Sequence, residues 1–332
     1  MIPDLDELLA SAIPFALPLR VPFRGVRVRE GMIIKGSSGW GEFAPFDDYS
    51  DVRAARWLEA ALEAAWGTWP TPIRESISVN AIVPAVDSTR AAVLAREAIN
   101  DLGCTTIKVK VGSGLADDEA RVVAIRDALD TAGVDGRIRL DANAAWSLEQ
   151  AITSMRRLSQ YGIEYVEQPC ADLDDIVRLR EVADISVAVD EVVRLATNPE
   201  ELDLSGRVDY AIVKPMTLGG AHATVRVANA IGVPVVVSGS LDTAVGLSTC
   251  LAAAAALPDL PLASGLGTGA LFERDLTDPA LVPRNGHMDV RRYAPDLDAL
   301  LSATDAVRQD RTKWWRSRLS AAYAEYARNL AH

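Results

Sequence analysis

Residues 105–112 read TTIKVKVG, a β-branched run that carries two lysines, Lys108 and Lys110, one residue apart. A strand sends successive side chains to opposite faces, so Ile107, Val109 and Val111 share one side and both lysines share the other. Taken alone, this is an ordinary antiparallel strand with one solvated face. The surrounding sequence points elsewhere. From about residue 76 onward a β-branched run, a loop and an amphipathic stretch recur, the alternation of parallel strands joined by helices. The runs are ISVNAIV, TTIKVKV, RIRLDAN, IEYVEQP, ISVAVDE, DYAIVKP, VPVVVSG and a last PLASGLG. Stretches such as DSTRAAVLAREAIND and SLEQAITSMRRLSQYG separate them. DSTR and SLEQ offer N-caps, SLEQ approximating a capping box with Glu149, and Gly103, Gly133 and Gly162 sit where helices should end. Strands alternating with helices in this number predict an α/β fold, a (β/α)8-type barrel, with (β/α)7β as its variant.

In a barrel, inward side chains at the C-terminal strand ends meet at one mouth. The third run ends at Asp141, the fourth at Glu167, the fifth at Asp190 and the sixth at Lys214, each one strand–helix unit after the last. Leu140 and Val189 then pack outward while Asp141 and Asp190 point in, beside Lys108 and Lys110. Any one of these acids alone reads as a surface or salt-bridged residue; four successive strand ends and a lysine pair do not. Carboxylates and lysines gathered in a partly dry mouth are costly without compensation. A divalent cation provides it, and oxygen-only ligation by Asp141, Glu167 and Asp190 suits a hard ion such as Mg²⁺, with Mn²⁺ as a substitute.

The flanks do not follow the repeat. Residues 1–75 contain VRVREGMIIKG and SSGWGEFAPF, read as a hairpin, then the helical run DVRAARWLEAALEAAW, and predict a small α+β capping domain. Residues 76–270 form the barrel with the site. Residues 271–332 return to the cap and end in a helix whose Trp314 and Trp315 are packing residues.

Composition narrows the function classes. Acidic residues outnumber basic ones, 46 against 34, for a net charge of −12, and no basic stripe interleaved with aromatics appears, so nucleic acid is not an expected partner. Cys104, Cys170 and Cys250 lie far apart without CxxC spacing, which fits a reducing compartment and no thiolate zinc site. The start, MIPDLDELLASAIPF, has acids where a signal peptide needs positive charge, and the apolar run Leu251–Leu257 is too short to span a bilayer. A soluble, cytoplasmic, monomeric chain with a small-molecule carboxylate partner and no membrane partner is expected. GSGLAD at 112–117 lacks the third small residue of a dinucleotide fingerprint. The histidines, His222, His287 and His332, supply neither a strand-end His–Asp dyad nor a Ser–His–Asp triad.

The constellation resembles the enolase superfamily, which carries a KxK on the second barrel strand, acids ending strands three, four and five, and a lysine on the sixth. The matching residues are Lys108-Val109-Lys110, Asp141 in LDAN, Glu167 in VEQP, Asp190 in AVDE and Lys214 in VKP. Within the muconate-lactonizing-like subgroup the chain is most similar to the actinobacterial o-succinylbenzoate synthase family of menaquinone biosynthesis, through PFRGVRVREG, GWGEFAPF, VKPMTLGG and SGSLDTAVGLS. That resemblance implies a carbon–oxygen lyase that dehydrates 2-succinyl-6-hydroxy-2,4-cyclohexadiene-1-carboxylate to o-succinylbenzoate through a Mg²⁺-stabilised enediolate. It implies Lys110 as general base, with Lys108 lowering its proton affinity as a neighbouring like charge. It implies Lys214 as the anion's electrostatic partner, and Asp141, Glu167 and Asp190 as metal ligands. Asn143 and Gln168, next to those ligands in the sequence, are expected to support them. Substrate contacts are expected at Ser238, Gly239, Ser240, Gly265, Leu266 and Gly267, whose backbone N–H groups would take a second carboxylate; simple tight turns are the equal alternative. The loop from Pro18 to Arg24 is expected to close over the site. N-acylamino acid racemases, dipeptide epimerases and muconate cycloisomerases share the lysines, although GLGTG at 265–269 lacks the DxD that dipeptide epimerases carry there.

Overall fold

The structure, a computed structural model, describes residues 3–330, so His332 lies outside the described residues. Helix α1 (Leu5–Ser11), capped by the Asp4 carboxylate, leads into an antiparallel sheet of β1 (Ala12–Phe23), β2 (Val26–Lys35) and β3 (Trp40–Phe43), in that order. The β2–β3 hairpin lies where the sequence puts it. The long first strand is an addition, because Pro14, Pro18 and Pro22 argue against a strand. It survives as an edge strand whose only strand neighbour in the sheet is β2, with one added bridge from Leu19 to Phe272, and its register breaks between Pro18 and Phe23. Helix α2 (Asp51–Trp66), capped by Ser50, packs its alanine-rich face directly on this sheet; a Cβ at Gly41 would overlap the Ala61 carbonyl.

The ISVNAIV run divides into β4 (Ser76–Ser78) and β5 (Ala81–Val83). Six further strands and their helices follow: α3 (Ser88–Asn100), β6 (Thr106–Lys110), α4 (Leu115–Thr131), β7 (Arg137–Asp141), α5 (Leu148–Leu158), β8 (Ile163–Glu167), α6 (Leu173–Val182), β9 (Ser186–Val189), α7 (Glu191–Arg194), β10 (Tyr210–Val213), α8 (Pro215–Leu218), α9 (Ala221–Ala230), β11 (Val235–Val237) and α10 (Ala244–Ala256). Strands β5 to β11 form one parallel sheet in sequence order, curled on itself. The eighth run, PLASGLG, forms no regular strand. Ser264 bridges to Val79 and Gly265 to Ser238, closing the barrel with two parallel bridges. Seven strand–helix units, β5 to α10, and this bridged eighth position give the (β/α)7β form, its last position narrowed where a Cβ on Gly265 would stand 2.6 Å from Ser238 Oγ.

Outward residues such as Ile107, Val109, Leu140, Val187 and Val213 join the main core beneath the helices. Inward, Arg139 is fully buried: it contacts Glu164 at 2.6 Å, Asn80 Oδ1 at 2.9 Å and Ala263 O at 2.6 Å, tying β7 to the closing segment below the mouth. Ser147 does form a capping box, but its partner is Gln150 rather than Glu149, because the third helical residue is the one within reach of the cap N–H. Gly103, Gly133 and Gly162 take positive φ as helix ends require.

The chain finishes with β12 (His287–Asp289), paired antiparallel to β4, then α11 (Leu297–Asp305) against β1 and α12 (Gln309–Leu330) against α2. Trp315 is buried edge-on to Phe43 at 6.1 Å, and Trp314 stands edge-on to Trp315, both in packing positions. Among the described residues no helix is long and apolar enough to cross a membrane.

Candidate active site

Parallel register aligns Lys110 with Asp141 and Asp141 with Glu167, so these side chains emerge side by side at one rim. Lys108 Nζ donates to both Glu167 oxygens at 2.8 Å and lies 2.9 Å from Asp141 Oδ2. Lys110 Nζ stands 2.6 Å from the same Asp141 oxygen and donates to Asn143 Oδ1. Two strands on, Lys214 Nζ donates to Asp190 Oδ2 at 2.5 Å. All six charged groups singled out in the sequence thus face the mouth, and five of them are buried, Lys110 being partly open.

The backbone at this rim is strained. Asn143, Ala144 and Gln168, just past Asp141 and Glu167, have φ of 45°, 63° and 41°, a region non-glycine residues enter at a cost of about 1–3 kcal/mol each. Gln168 explains its own case. Its buried Oε1 accepts from Asp190 N at 3.0 Å and Val192 N at 3.3 Å, and its Nε2 donates to Cys170 O, so it locks the end of β8 to the end of β9.

Electrostatics separates the groups. Burial would lower Lys108, but the carboxylates of Asp141 and Glu167 outweigh it and hold Lys108 well above the ordinary lysine range. Lys110 is lowered, chiefly by burial, with the Lys108 ammonium adding to the effect. The direction matches the sequence reading, although burial is the larger cause. Asp141, despite its burial, is held low by two lysines, whereas burial and the Asp141 charge push Glu167 up to about 7. Asp190 is lowered, against its burial, by Lys214 and Arg194.

The donor set suits a hard divalent cation. It is all oxygen, supplied by three neighbouring strand ends, and Asp190 Oδ1 is buried without a hydrogen-bond partner. Among the described residues no three acidic, His or Cys side chains are already grouped as a cage, because Lys108 lies between Asp141 and Glu167. Arg194 is a residue the sequence did not flag. Its Nη2 donates to Glu191 at 2.5 Å, its Nε faces Asp190 at 3.4 Å, and its Nη1 donates to the Tyr49 hydroxyl of the N-terminal region. Glu191 also accepts from Asn143, which completes a chain from Lys110 to Tyr49. The spacing of Arg194 four residues after Asp190 on one short helix was the available signal.

The β11 side of the mouth differs from expectation. Backbone N–H groups of Ser238, Gly239, Ser240, Gly265 and Leu266 are each bonded within the protein, to Val213 O, Gly265 O, Asp242 Oδ2, Val237 O and Ser264 O. Parallel pairing takes the amides of Ser238, Gly239 and Gly265, and local bonds to Asp242 and Ser264 take those of Ser240 and Leu266. The Ser238 hydroxyl is also engaged, with Gly265 O at 3.2 Å, and the Leu266 side chain is core. Among the described residues, buried polar atoms without partners here include the hydroxyls of Ser240, Ser264 and Thr268 and Asp242 Oδ1. The Pro18–Arg24 segment does reach the site: the Phe23 ring lies over Lys110 Nζ at 5.4 Å.

Residues 90–295 match the family described as Enolase C-terminal domain-like, and residues 15–65 match Enolase N-terminal domain-like. The o-succinylbenzoate synthase of Thermobifida fusca is 43% identical over 315 residues, covering 94% of this chain and 96% of that protein. The o-succinylbenzoate synthase of Mycolicibacterium smegmatis is 42% identical over 328 residues, covering 97% and 98%. In fold, the chain is similar to muconate lactonizing enzyme from Pseudomonas fluorescens complexed with muconolactone, with a TM-score of 0.74 at 20% identity over 88% of this chain and 97% of the other. A dipeptide epimerase from Enterococcus faecalis gives a TM-score of 0.68 at 21% identity, over 86% and 96%.

Proposed function

The chain belongs to the enolase superfamily, and from that premise we propose how its barrel mouth carries out the dehydration of 2-succinyl-6-hydroxy-2,4-cyclohexadiene-1-carboxylate to o-succinylbenzoate. It is a carbon–oxygen lyase, and superfamily members use a divalent metal. The observation that carries the reading is the placement of Lys110 on β6 and Lys214 just past β10, with Asp141, Glu167 and Asp190 on the strands between them.

A proton α to a carboxylate is weakly acidic, so its removal needs a base on one side and positive charge where the anion forms. Lys110, its proton affinity lowered by burial, is placed to take the proton, and its bond to Asn143 aims it. Lys214 faces the enediolate from across the barrel. Breaking the ring C–O bond expels hydroxide, to which the newly formed Lys110 ammonium returns the proton, releasing water and leaving the aromatic ring. Phe23 keeps water from Lys110 meanwhile. Asp141, Glu167 and Asp190 would hold Mg²⁺, which when bound supplies Lewis-acid neutralisation of charge on the substrate carboxylate. Ser238–Ser240 and Gly265–Gly267, with Ser264 and Thr268, face the succinyl side. The same reading sets a cap of residues 1–75 and 271–332 over the barrel of 76–270, in a cytoplasmic monomer.

Purified protein is expected to convert the cyclohexadiene carboxylate to o-succinylbenzoate with Mg²⁺ and to stop on chelation. A preparation that racemises an N-succinyl amino acid but dehydrates nothing would overturn the assignment.

A further inference from the structure

The loop after β11 is gripped from the antiparallel sheet. Buried Arg29 of β2 donates Nε to Leu241 O at 3.0 Å and Nη2 to Ser240 O at 3.4 Å, and also reaches Ala44 O. Leu241 has φ of 62°, a conformation that leucine keeps only when its surroundings impose it. Buried Glu42 of β3 accepts from Thr243 N at 3.1 Å, Thr243 Oγ1 at 2.5 Å and Gly246 N at 3.0 Å, capping the start of α10 from another part of the chain. Asp242 stands beside it. Its Oδ2 accepts from Ser240 N at 2.7 Å, while its Oδ1 is buried without a partner. A Cβ on Gly246 would lie 2.8 Å from both Glu42 Oε2 and Asp242 Cβ, so the two acids flank one spot that only glycine leaves open.

We infer that Arg29 and Glu42 are positioning residues for the loop Ser238–Thr243, and that a proton kept within the Glu42–Asp242 pair holds this loop in its working shape. The inference rests on the loop facing substrate, as proposed above. Two ionised carboxylates in this dry gap would repel each other. The groups facing them are Arg29, itself flanked by Arg24 and Asp47, then Lys214 from past β10 and the Cys250 thiol of α10; Asp275 caps the same helix at Ala244 N. Burial first, and then the Asp242 charge, push Glu42 up to about 8, and burial raises Asp242 as well. The pair thus keeps a proton through neutral pH and gives it up as pH rises through about 8, where repulsion loosens the loop.

Steady-state kinetics of wild type, Glu42→Gln, Glu42→Leu and Arg29→Met, with Mg²⁺ and the cyclohexadiene carboxylate, test this from about pH 6 to about pH 9.5. Wild-type KM should rise about tenfold toward the alkaline end relative to Glu42→Gln at the same pH, a comparison in which titration of Lys110 and Glu167 is common to both. Glu42→Gln, a neutral isostere, should keep the neutral-pH KM and lose the alkaline rise. Glu42→Leu and Arg29→Met should raise KM at every pH by about tenfold. A flat wild-type profile, or an alkaline rise that persists in Glu42→Gln, overturns the inference. Amide exchange across residues 238–246, compared between wild type and Glu42→Gln at one pH, needs no substrate and decides even where the leucine variant fails to fold. Faster wild-type exchange above about 8 is expected, and equal exchange overturns the loop claim. Absence of wild-type turnover strikes the function alone.

Discussion

On the β6–β10 side of the mouth, Lys108, Lys110 and Lys214 each contact a carboxylate within 2.9 Å, whereas on the β11 side Ser240 Oγ, Ser264 Oγ, Thr268 Oγ1 and Asp242 Oδ1 are buried without partners. The first half satisfies its charges internally. Its groups are fixed before any ligand arrives, which is what proton transfer requires of a base and an electrostatic partner. The second half leaves hydroxyls unmatched, each at a cost of about 1–3 kcal/mol that a polar ligand can offset. Two oxygens cross the division: Asp190 Oδ1 and Glu191 Oε2 are unpartnered in the charged half, and Asp190 Oδ1 is where a cation's demand for oxygen would be met.

Substitutions can break or sharpen that contrast. The largest effect belongs to Lys110→Ala and Lys214→Ala. Each should cut kcat by about 10³-fold or more while circular dichroism stays that of wild type, and near-normal dehydration by either would remove that residue from the chemistry. Arg194→Met leaves both lysines but frees Asp190 and Glu191 from their guanidinium. Turnover at fixed Mg²⁺ should fall about 10–100-fold and be partly recovered by raising Mg²⁺; an unchanged metal titration would show that the Tyr49–Arg194 contact only packs. Ser264→Ala and Thr268→Ala should be mildest, raising KM less than about tenfold with kcat intact. A kcat loss rivalling that of the lysines would erase the difference between the two halves.

The charged half was legible because it obeys local rules. Strand alternation places Lys108 and Lys110 on one face, and the acids recur one strand–helix unit apart, so no long-range knowledge was needed to gather them. Elsewhere the decisive contacts span the chain. Arg29 and Leu241 are 212 residues apart, Glu42 and Thr243 201, and neither pair has a sequence signal that either residue betrays alone. Strand β1 was hidden by its prolines, which composition counts against any strand but which an edge position accommodates. The amides at 238–240 and 265–266 looked available because glycine-rich text reads as a turn; pairing with neighbouring strands claims those of Ser238, Gly239 and Gly265, and the Asp242 carboxylate and Ser264 carbonyl claim those of Ser240 and Leu266.

Phe43 and Glu30 belong to the first-made sheet, yet Trp315 and Arg311, which cover and pair with them, lie at the other end of the chain, Glu30 and Arg311 being 281 residues apart. At a synthesis rate of about 5–20 residues per second, the nascent sheet stands uncovered on the ribosome for tens of seconds, roughly, while the whole barrel is made. The order of assembly is consequently the reverse of the order of synthesis at this face: the earliest segment is among the last to be sealed.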